Sequence, residues 1–305
     1  MSARNLIRLA IALLVLLALW GAVALGTKRG DVEQRFRISG AAAQDVDTVT
    51  FAGVRDTIVL ARAGTDVWRA NGHPADRRMV EDLLTSLADT AASGDLVAET
   101  PASYAQMGLD SASAKHIRAV GKGKTLTDVI VGKAGRVYGT GYVRPSGELR
   151  VYLVRTALPS LASRPLDEWR DRRIGGTSKD SISRVEVQRG AKRYALVKQG
   201  GGWALMPGGA TDSTAIASFL AGLGSIQATG FATPTQADSL KFKPPKRQLA
   251  VVGADGKPRM RLIFDSTKSG MWARADTGST VWRLEPWGAD QITPAESTLA
   301  PRRKR

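Results

Sequence analysis

One sequence pattern occurs twice in the chain and constrains its fold more than any other feature. An aspartate, Asp76 or Asp212, precedes four apolar residues at the spacing of one helix face. Trp68 precedes the first pattern and Trp203 precedes the second. The four apolar residues are Val80, Leu83, Leu84 and Leu87 in the first copy and Ile216, Phe219, Leu220 and Leu223 in the second. We interpret the chain as a duplicated module whose N-capped helix buries this stripe.

Short apolar segments separated by glycine and charged turns surround each helix and predict β-strands. Residues 182–187, for example, alternate apolar and polar side chains, as a half-buried strand does. Three such segments precede each helix and about four follow it. The predicted fold class is α+β: an N-terminal transmembrane helix followed by two tandem copies of a mainly antiparallel sheet with one packed helix.

This interpretation divides the 305 residues into six parts. They are a transmembrane anchor at 1–27, a linker at 28–45, a first α+β repeat at 46–158, a helical connector at 159–181, a second α+β repeat at 182–293 and a disordered basic tail at 294–305.

The segment from Leu9 to Gly26 contains no charged residue and predicts a membrane span. As a helix it would be roughly 27 Å long, close to the hydrocarbon thickness of about 30 Å. Ala22-Val23-Ala24 also resembles a signal-peptide cleavage site, so a cleaved signal peptide is the alternative. The length of the apolar run favours an uncleaved signal anchor.

Charge gives conflicting information about orientation and suggests anionic partners. Four basic residues closely follow the apolar segment and oppose the simple positive-inside rule, although large domains translocate largely regardless of charge. They are Lys28, Arg29, Arg35 and Arg37. The formal net charge of +16 favours attraction to anionic lipid or glycan. We expect no nucleic-acid partner, because the basic residues are dispersed and accompany no recognition motif.

Few residues suggest catalysis. The chain has no cysteine and two histidines, His73 and His116, which excludes thiolate chemistry and disfavours a histidine-based triad. Residues 121–125 resemble the end of a phosphate-binding loop, but Arg118 occupies the required glycine position, so a basic hairpin turn is predicted. We predict no catalytic, cofactor-binding or metal-binding residue and no cofactor.

One acidic cluster leaves a hydrolase open as an alternative. Asp167, Glu168 and Asp171 surround Trp169 and could perform acid–base chemistry. Arginines interleave with them, so a salt-bridged connector is the favoured interpretation.

Tryptophans that occur in one copy alone are the candidates for partner contact. Trp68 and Trp203 match across the copies, as do Tyr152 and Trp282, and such pairs favour core packing. The copy-specific tryptophans are Trp169, Trp272 and Trp287, and tryptophan is enriched where partner proteins bind.

The chain resembles the DUF4340 family of bacterial envelope proteins. The resemblance is carried by Trp68, the first apolar stripe, and the segments Met107-Gly108-Leu109-Asp110, Tyr142-Val143-Arg144, Val151-Tyr152-Leu153-Val154 and Trp169-Arg170-Asp171-Arg172-Arg173. It covers most of residues 46–292, although Lys241-Phe242 replaces the glycine–leucine pair in the second copy.

The resemblance implies an association with ABC-type export systems but no catalytic residue, and the biochemical function of the family is undefined. We therefore expect a non-enzymatic, single-pass protein of the bacterial inner membrane whose body is in the periplasm. Its expected partner is an ABC transporter permease or another envelope protein. An envelope module that binds anionic glycan or lipid is the alternative, and a carboxylate-dependent hydrolase is the second alternative.

Overall fold

The chain forms two compact units, which are divided between Arg164 and Pro165. The computed structural model describes residues 36–38, 42–54, 56–89, 93–268 and 270–301. Within these ranges, no helix combines the length and apolar character needed to cross a bilayer. The predicted anchor from Leu9 to Gly26 lies outside the described residues.

The first unit is one antiparallel sheet with three helices in its described part. In chain order, its elements are β1 (Phe36–Arg37), β2 (Thr48–Ala52), β3 (Thr57–Arg62), β4 (Trp68–Ala70), β5 (His73–Pro74), α1 (Arg77–Ala88), β6 (Ser93–Ala98), α2 (Tyr104–Met107), β7 (Lys115–Gly121), β8 (Lys124–Ala134), β9 (Thr140–Pro145), β10 (Val151–Arg155) and α3 (Leu158–Ala162). The strand order is β1-β6-β10-β9-β8-β7-β2-β3-β4-β5. Short 3-10 helices precede β2 and α2, at Ala43–Asp45 and Pro101–Ser103.

The second unit repeats this construction. Its elements are α4 (Leu166–Trp169), β11 (Arg173–Gly175), β12 (Ile182–Arg189), β13 (Lys192–Gln199), β14 (Gly202–Met206), α5 (Ser213–Gly222), β15 (Ile226–Gln227), β16 (Gly230–Phe231), α6 (Pro234–Ser239), β17 (Arg247–Gly253), β18 (Pro258–Thr267), β19 (Gly270–Ala275), β20 (Val281–Leu284) and α7 (Pro286–Ile292). The main sheet has the order β14-β13-β12-β17-β18-β19-β20-β16, and β11 pairs with β15. Further 3-10 helices lie at Lys179–Ser181 and Glu296–Thr298.

The two sheets have the same strand order. From β4 to β6 the first sheet is β4-β3-β2-β7-β8-β9-β10-β6, and every strand has a counterpart at the same place in the second. β15 and β16 together correspond to β6, so the β1–β6 pair is matched by the β11–β15 pair. A 3-10 helix follows β1 in the first unit and β11 in the second. The prediction of mainly antiparallel sheets with few helices is confirmed. The repeated arrangement of strands therefore begins at β1 and β11, before the predicted starts at Val46 and Ile182. The sequence does not show this, because β1 and β11 are too short to have a recognisable period.

Each long helix is capped and buried as its sequence predicts. The Asp76 carboxylate accepts a hydrogen bond from the Met79 N–H at 3.1 Å, and Asp212 accepts from the Thr214 and Ala215 N–H groups at 2.9 and 3.1 Å. These bonds satisfy amides that have no partner within the helix. All eight residues of the two stripes are buried. The helices therefore hold the sheets through apolar contact along one face.

The segment between α1 and α2 contains a strand that the sequence pattern does not indicate. Ser93–Ala98 forms β6, which pairs with β10 and β1. Its polar start conceals the strand, and Gly94 is required by packing: a Cβ there would be 2.7 Å from a methyl of Val154. The 121–125 segment, in contrast, is the predicted hairpin turn, with Lys122 and Gly123 at positive φ between β7 and β8.

The chain end also differs from its prediction. Residues 294–305 were predicted to be disordered, but the described part up to 301 packs on the second core. Leu299 is buried and its carbonyl accepts from the Asp212 N–H at 2.8 Å, while the Tyr194 hydroxyl donates to the Pro294 carbonyl at 2.7 Å. Burial raises the pKa of the Tyr194 phenol above its usual range, so the group stays neutral and donates this bond. One apolar residue among polar neighbours was too weak a signal to predict this.

We expect Leu83→Ala to destabilise the first unit by about 2–5 kcal/mol, because the side chain is fully buried in the α1 stripe. Asp82→Ala, on the exposed face of the same helix, should change the free energy of unfolding by less than about 0.5 kcal/mol. Chemical denaturation of the purified chain measures both. Equal effects would contradict the placement of the stripe.

Candidate partner-binding surfaces

The three tryptophans that were candidates for partner contact lie in different environments. Trp169 is fully buried in α4, and Trp272 is buried in a small cluster with Phe242 and Ile263, its indole N–H donating to the Thr267 hydroxyl at 3.2 Å. Burial removes both from the accessible surface, which disfavours a docking role for them. Trp287 is 64% exposed in the first turn of α7 and keeps that role as a prediction.

The acidic residues of the connector face arginines. The Asp167 carboxylate is 3.6 Å from the Arg170 guanidinium, and Asp171 is 3.6 Å from Arg173. Arg170 is buried and its guanidinium lies 3.5 Å from the centre of the Phe231 ring. Burial lowers the pKa of Arg170, and Asp167 opposes that shift. This arrangement is typical of structural ion pairs and gives the hydrolase interpretation no additional support.

The two histidines do not meet. His73 lies in the exposed strand β5, whereas His116 on β7 pairs with the Asp128 carboxylate on β8. Arg118 also donates to Asp128, at 2.9 and 3.1 Å. In the described ranges, no three histidine or carboxylate side chains converge as metal ligands would.

Asp128 links β7 and β8 electrostatically. Its partial burial acts to raise the carboxyl pKa, but the hydrogen bonds from His116 and Arg118 outweigh burial and lower that pKa. In the second unit, Gln248 occupies the position equivalent to His116, and Arg261 occupies the position equivalent to Asp128. When its amide oxygen is turned towards Arg261, Gln248 accepts from the guanidinium at 2.8 and 2.9 Å. The two units therefore make the same cross-strand link with different chemistry.

Exposed apolar side chains are concentrated on the first unit. Tyr138 is 99% exposed and Val137 is 63% exposed in the turn between β8 and β9. They border a groove of about 1090 Å³ between the end of α1 and the start of α3. The other large apolar side chains exposed on the described part of this unit are Val54, Val67, Leu96, Val97 and Leu149, whereas those of the second unit are Met206 and Trp287.

A basic cavity lies at one end of the second unit. It has a volume of about 650 Å³ and is lined by Arg189, Lys192, Tyr194 and residues of the segment 295–301, among them the acidic Glu296. Glu296 offsets one of the two positive charges, so the lining keeps a small positive excess. Arg189 is paired with Asp290 at 2.9 Å, but Lys192 has no ion-pair partner among the described residues. The sequence continues from this cavity into Arg302–Arg305.

Sequence reasoning missed both of these surfaces. The groove beside Tyr138 is built by residues from four separated parts of the chain, and the basic cavity depends on the packed chain end. The available signal was a solvent-exposed tyrosine in a glycine-flanked turn, Gly135 to Gly139, which is equally typical of an ordinary loop.

Comparison with known proteins gives one match. A family model described as "Domain of unknown function (DUF4340)" matches residues 68–245, which is more than half of the chain. No curated protein and no solved structure matches.

We expect Asp128→Asn to reduce the free energy of unfolding by about 1–2 kcal/mol at neutral pH, because a charged hydrogen-bond acceptor is lost. The folded pKa of Asp128 is lowered, so its contribution is complete above its unfolded pKa of about 3.9 and is lost as pH falls through the folded value. Denaturation between pH 5 and pH 2 should show the two proteins converging. A constant difference across that interval would contradict the assignment.

Proposed function

Since the chain belongs to the DUF4340 family, for which no function is described, we propose from its own features that it is a non-enzymatic, membrane-anchored envelope protein that binds a protein partner. The proposed partner is a subunit of an ABC-type export system or another envelope protein. The observation that carries this proposal is the exposed Val137–Tyr138 turn beside a large groove on the first unit. Exposed aromatic side chains beside grooves are typical anchors of protein interfaces.

We further infer that the two units are tandem copies of one ancestral module. The inference is supported by the common strand order, the equivalent capped helices and the equivalent strand pairs β1–β6 and β11–β15. The shared features serve packing, whereas the exposed Val137–Tyr138 turn belongs to the first unit and the basic cavity to the second. A duplicated scaffold with divergent surfaces suits a binding protein.

The proposed anchor is the segment from Leu9 to Gly26, as a single transmembrane helix. Residues 27–35 can extend by at most about 30 Å before β1 begins, so an anchored first unit would stay close to the bilayer. The exposed apolar turn of that unit would then be available to a membrane-bound partner, with the body in the periplasm.

A second candidate function is the binding of anionic lipid or glycan at the basic cavity of the second unit. Lys192 lines this cavity, lacks an ion-pair partner among the described residues and is available to an anion, whereas its neighbour Arg193 lines a separate groove. Binding to anionic vesicles that is abolished in about 0.5 M salt would support it, since exposed charges are screened there.

Removal of Leu9 to Gly26 should release the body from the membrane, whereas the intact chain should remain in the pellet after alkaline carbonate extraction. Protease added outside the cytoplasmic membrane should digest the body of the intact chain. A protected body, or a body that stays membrane-bound without the segment, would contradict the proposed anchor and orientation.

Tyr138→Ser should weaken co-isolation of the partner from detergent-solubilised membranes by about tenfold, because the side chain is fully exposed and central to the apolar turn. Val67→Ser, also exposed and apolar, is the matched control and should leave co-isolation unchanged. Quantitative mass spectrometry of the isolated complexes measures both. Equal recovery with Tyr138→Ser and the unaltered chain would remove this surface from the proposal.

A further inference from the structure

β4 and β14 occupy equivalent places in their sheets but differ in what lies beyond them: β5 follows β4, whereas β14 is the last strand of its sheet. In the first unit β5 pairs with β4, so that Ala70 is opposite His73. The carbonyl of Trp68 also accepts a hydrogen bond from the Ala75 N–H at 2.9 Å. The backbone groups on the outer side of β4 therefore have partners within the unit.

No strand pairs with the corresponding side of β14 in the described residues, although Gly208, Gly209 and Ala210 line a cavity together with Leu205. β14 is the terminal strand of its sheet, and the chain continues through Gly208 and Gly209, both at positive φ, without forming another strand. The Trp203 carbonyl is equivalent to that of Trp68. It accepts a hydrogen bond from the Thr211 hydroxyl at 3.5 Å, the outer limit for such a bond.

The register of the β13–β14 hairpin identifies the free groups. Gln199 and Gly202 are paired on either side of the two-residue turn. Alternation along an antiparallel ladder then directs the backbone N–H and C=O groups of Trp203 and Leu205 away from β13. Apart from the Trp203 carbonyl, which accepts the Thr211 hydroxyl, these groups have no hydrogen-bond partner among the described residues and form a short template for a further strand.

β14 lacks the features that usually protect such an edge. Natural edge strands carry charges, prolines or bulges that prevent pairing with another chain. The five residues Gly202-Trp203-Ala204-Leu205-Met206 include none of these, and the pairing with β13 has no bulge. An edge of this kind is expected to be occupied in the functional state.

A groove of about 480 Å³ lies between β14 and α5 and indicates which side chains would fit. Trp203, Ile216 and Leu220 supply apolar surface, and Ala217 is an exposed lining residue. Lys179 and Lys198 also line the groove, and neither has an ion-pair partner among the described residues. Asp180 offsets one of these charges, which leaves the described lining with a net positive charge.

We propose that the free edge of β14 binds an extended, acidic segment of the partner protein as an added antiparallel strand. This inference rests on the proposed partner-binding function and specifies its mode. Backbone hydrogen bonds to Trp203 and Leu205 supply affinity, and alternate side chains of the segment supply specificity. Apolar side chains enter the groove beside Trp203, while carboxylates face Lys179 and Lys198.

The test uses the purified full chain and two short peptides, one alternating valine with glutamate and the other alternating valine with lysine. The glutamate peptide should slow amide exchange at Trp203 and Leu205 by about tenfold, and the lysine peptide should not. Exchange at the equivalent residues Trp68 and Ala70 should not change, because β5 covers that edge.

Ala217→Glu adds a negative charge at an exposed, groove-lining position of α5 and should weaken binding of the glutamate peptide about tenfold. Ser218→Glu places the same charge on the exposed neighbour, which does not line the groove, and should have little effect. Both variants should fold, since glutamate is favourable on a helix surface.

Three outcomes would overturn the inference. They are equal binding of the two peptides, unchanged exchange at Trp203 and Leu205, and a chain dimer in which those amides are already protected by a second copy. None of them decides the proposed function itself, which is tested separately by co-isolation with Tyr138→Ser.

Discussion

Burial of one apolar helix face on an antiparallel sheet is the interaction on which each unit depends. Neither surface is stable in water alone, because the helix is short and the sheet exposes a wide apolar face. Asp76 and Asp212 fix where the helices begin, and the buried stripes fix which side faces the sheet. Because this contact is made within each unit, the remaining surfaces are free to differ between the two units.

Substitutions at equivalent positions show what the packing permits. Gly132 leaves room for the Met107–Leu109 loop, because a Cβ at that position would collide with the Met107 carbonyl. The equivalent Asp265 instead accepts the Lys241 N–H at 2.8 Å and pairs with Lys246 at 2.9 Å. Burial alone would raise the pKa of Asp265, but these bonds lower it, so the buried charge is held by its partners. Leu109 and Phe242 lie in the two equivalent loops, and both are buried although the residues around them differ.

The sequence predicts well the features that have a period or a cap. The two stripes, the two aspartate caps and the 121–125 turn follow from local residue patterns. The strands β1, β6 and β11 do not follow from such patterns, because strands of two to six residues with glycine and polar side chains resemble loops. Burial of Trp169 and Trp272 could not be anticipated, since a tryptophan is equally suited to a core and to an interface. The Tyr138 groove depends on contacts between distant segments, and the unpaired edge of β14 depends on the strand order of the whole sheet.

Amide hydrogen exchange in the free chain tests the central claim, that two units with the same strand order differ in a paired edge at β4 and an unpaired edge at β14. The Ala75 amide, which donates to the Trp68 carbonyl, should exchange slowly. The Leu205 amide should exchange faster, because it has no hydrogen-bond partner among the described residues, although the residue as a whole is buried. The Val197 amide, in the paired part of β13, gives the reference for a protected amide in the same hairpin. Protection of the Leu205 amide equal to that of Val197 in the monomeric chain would contradict the account.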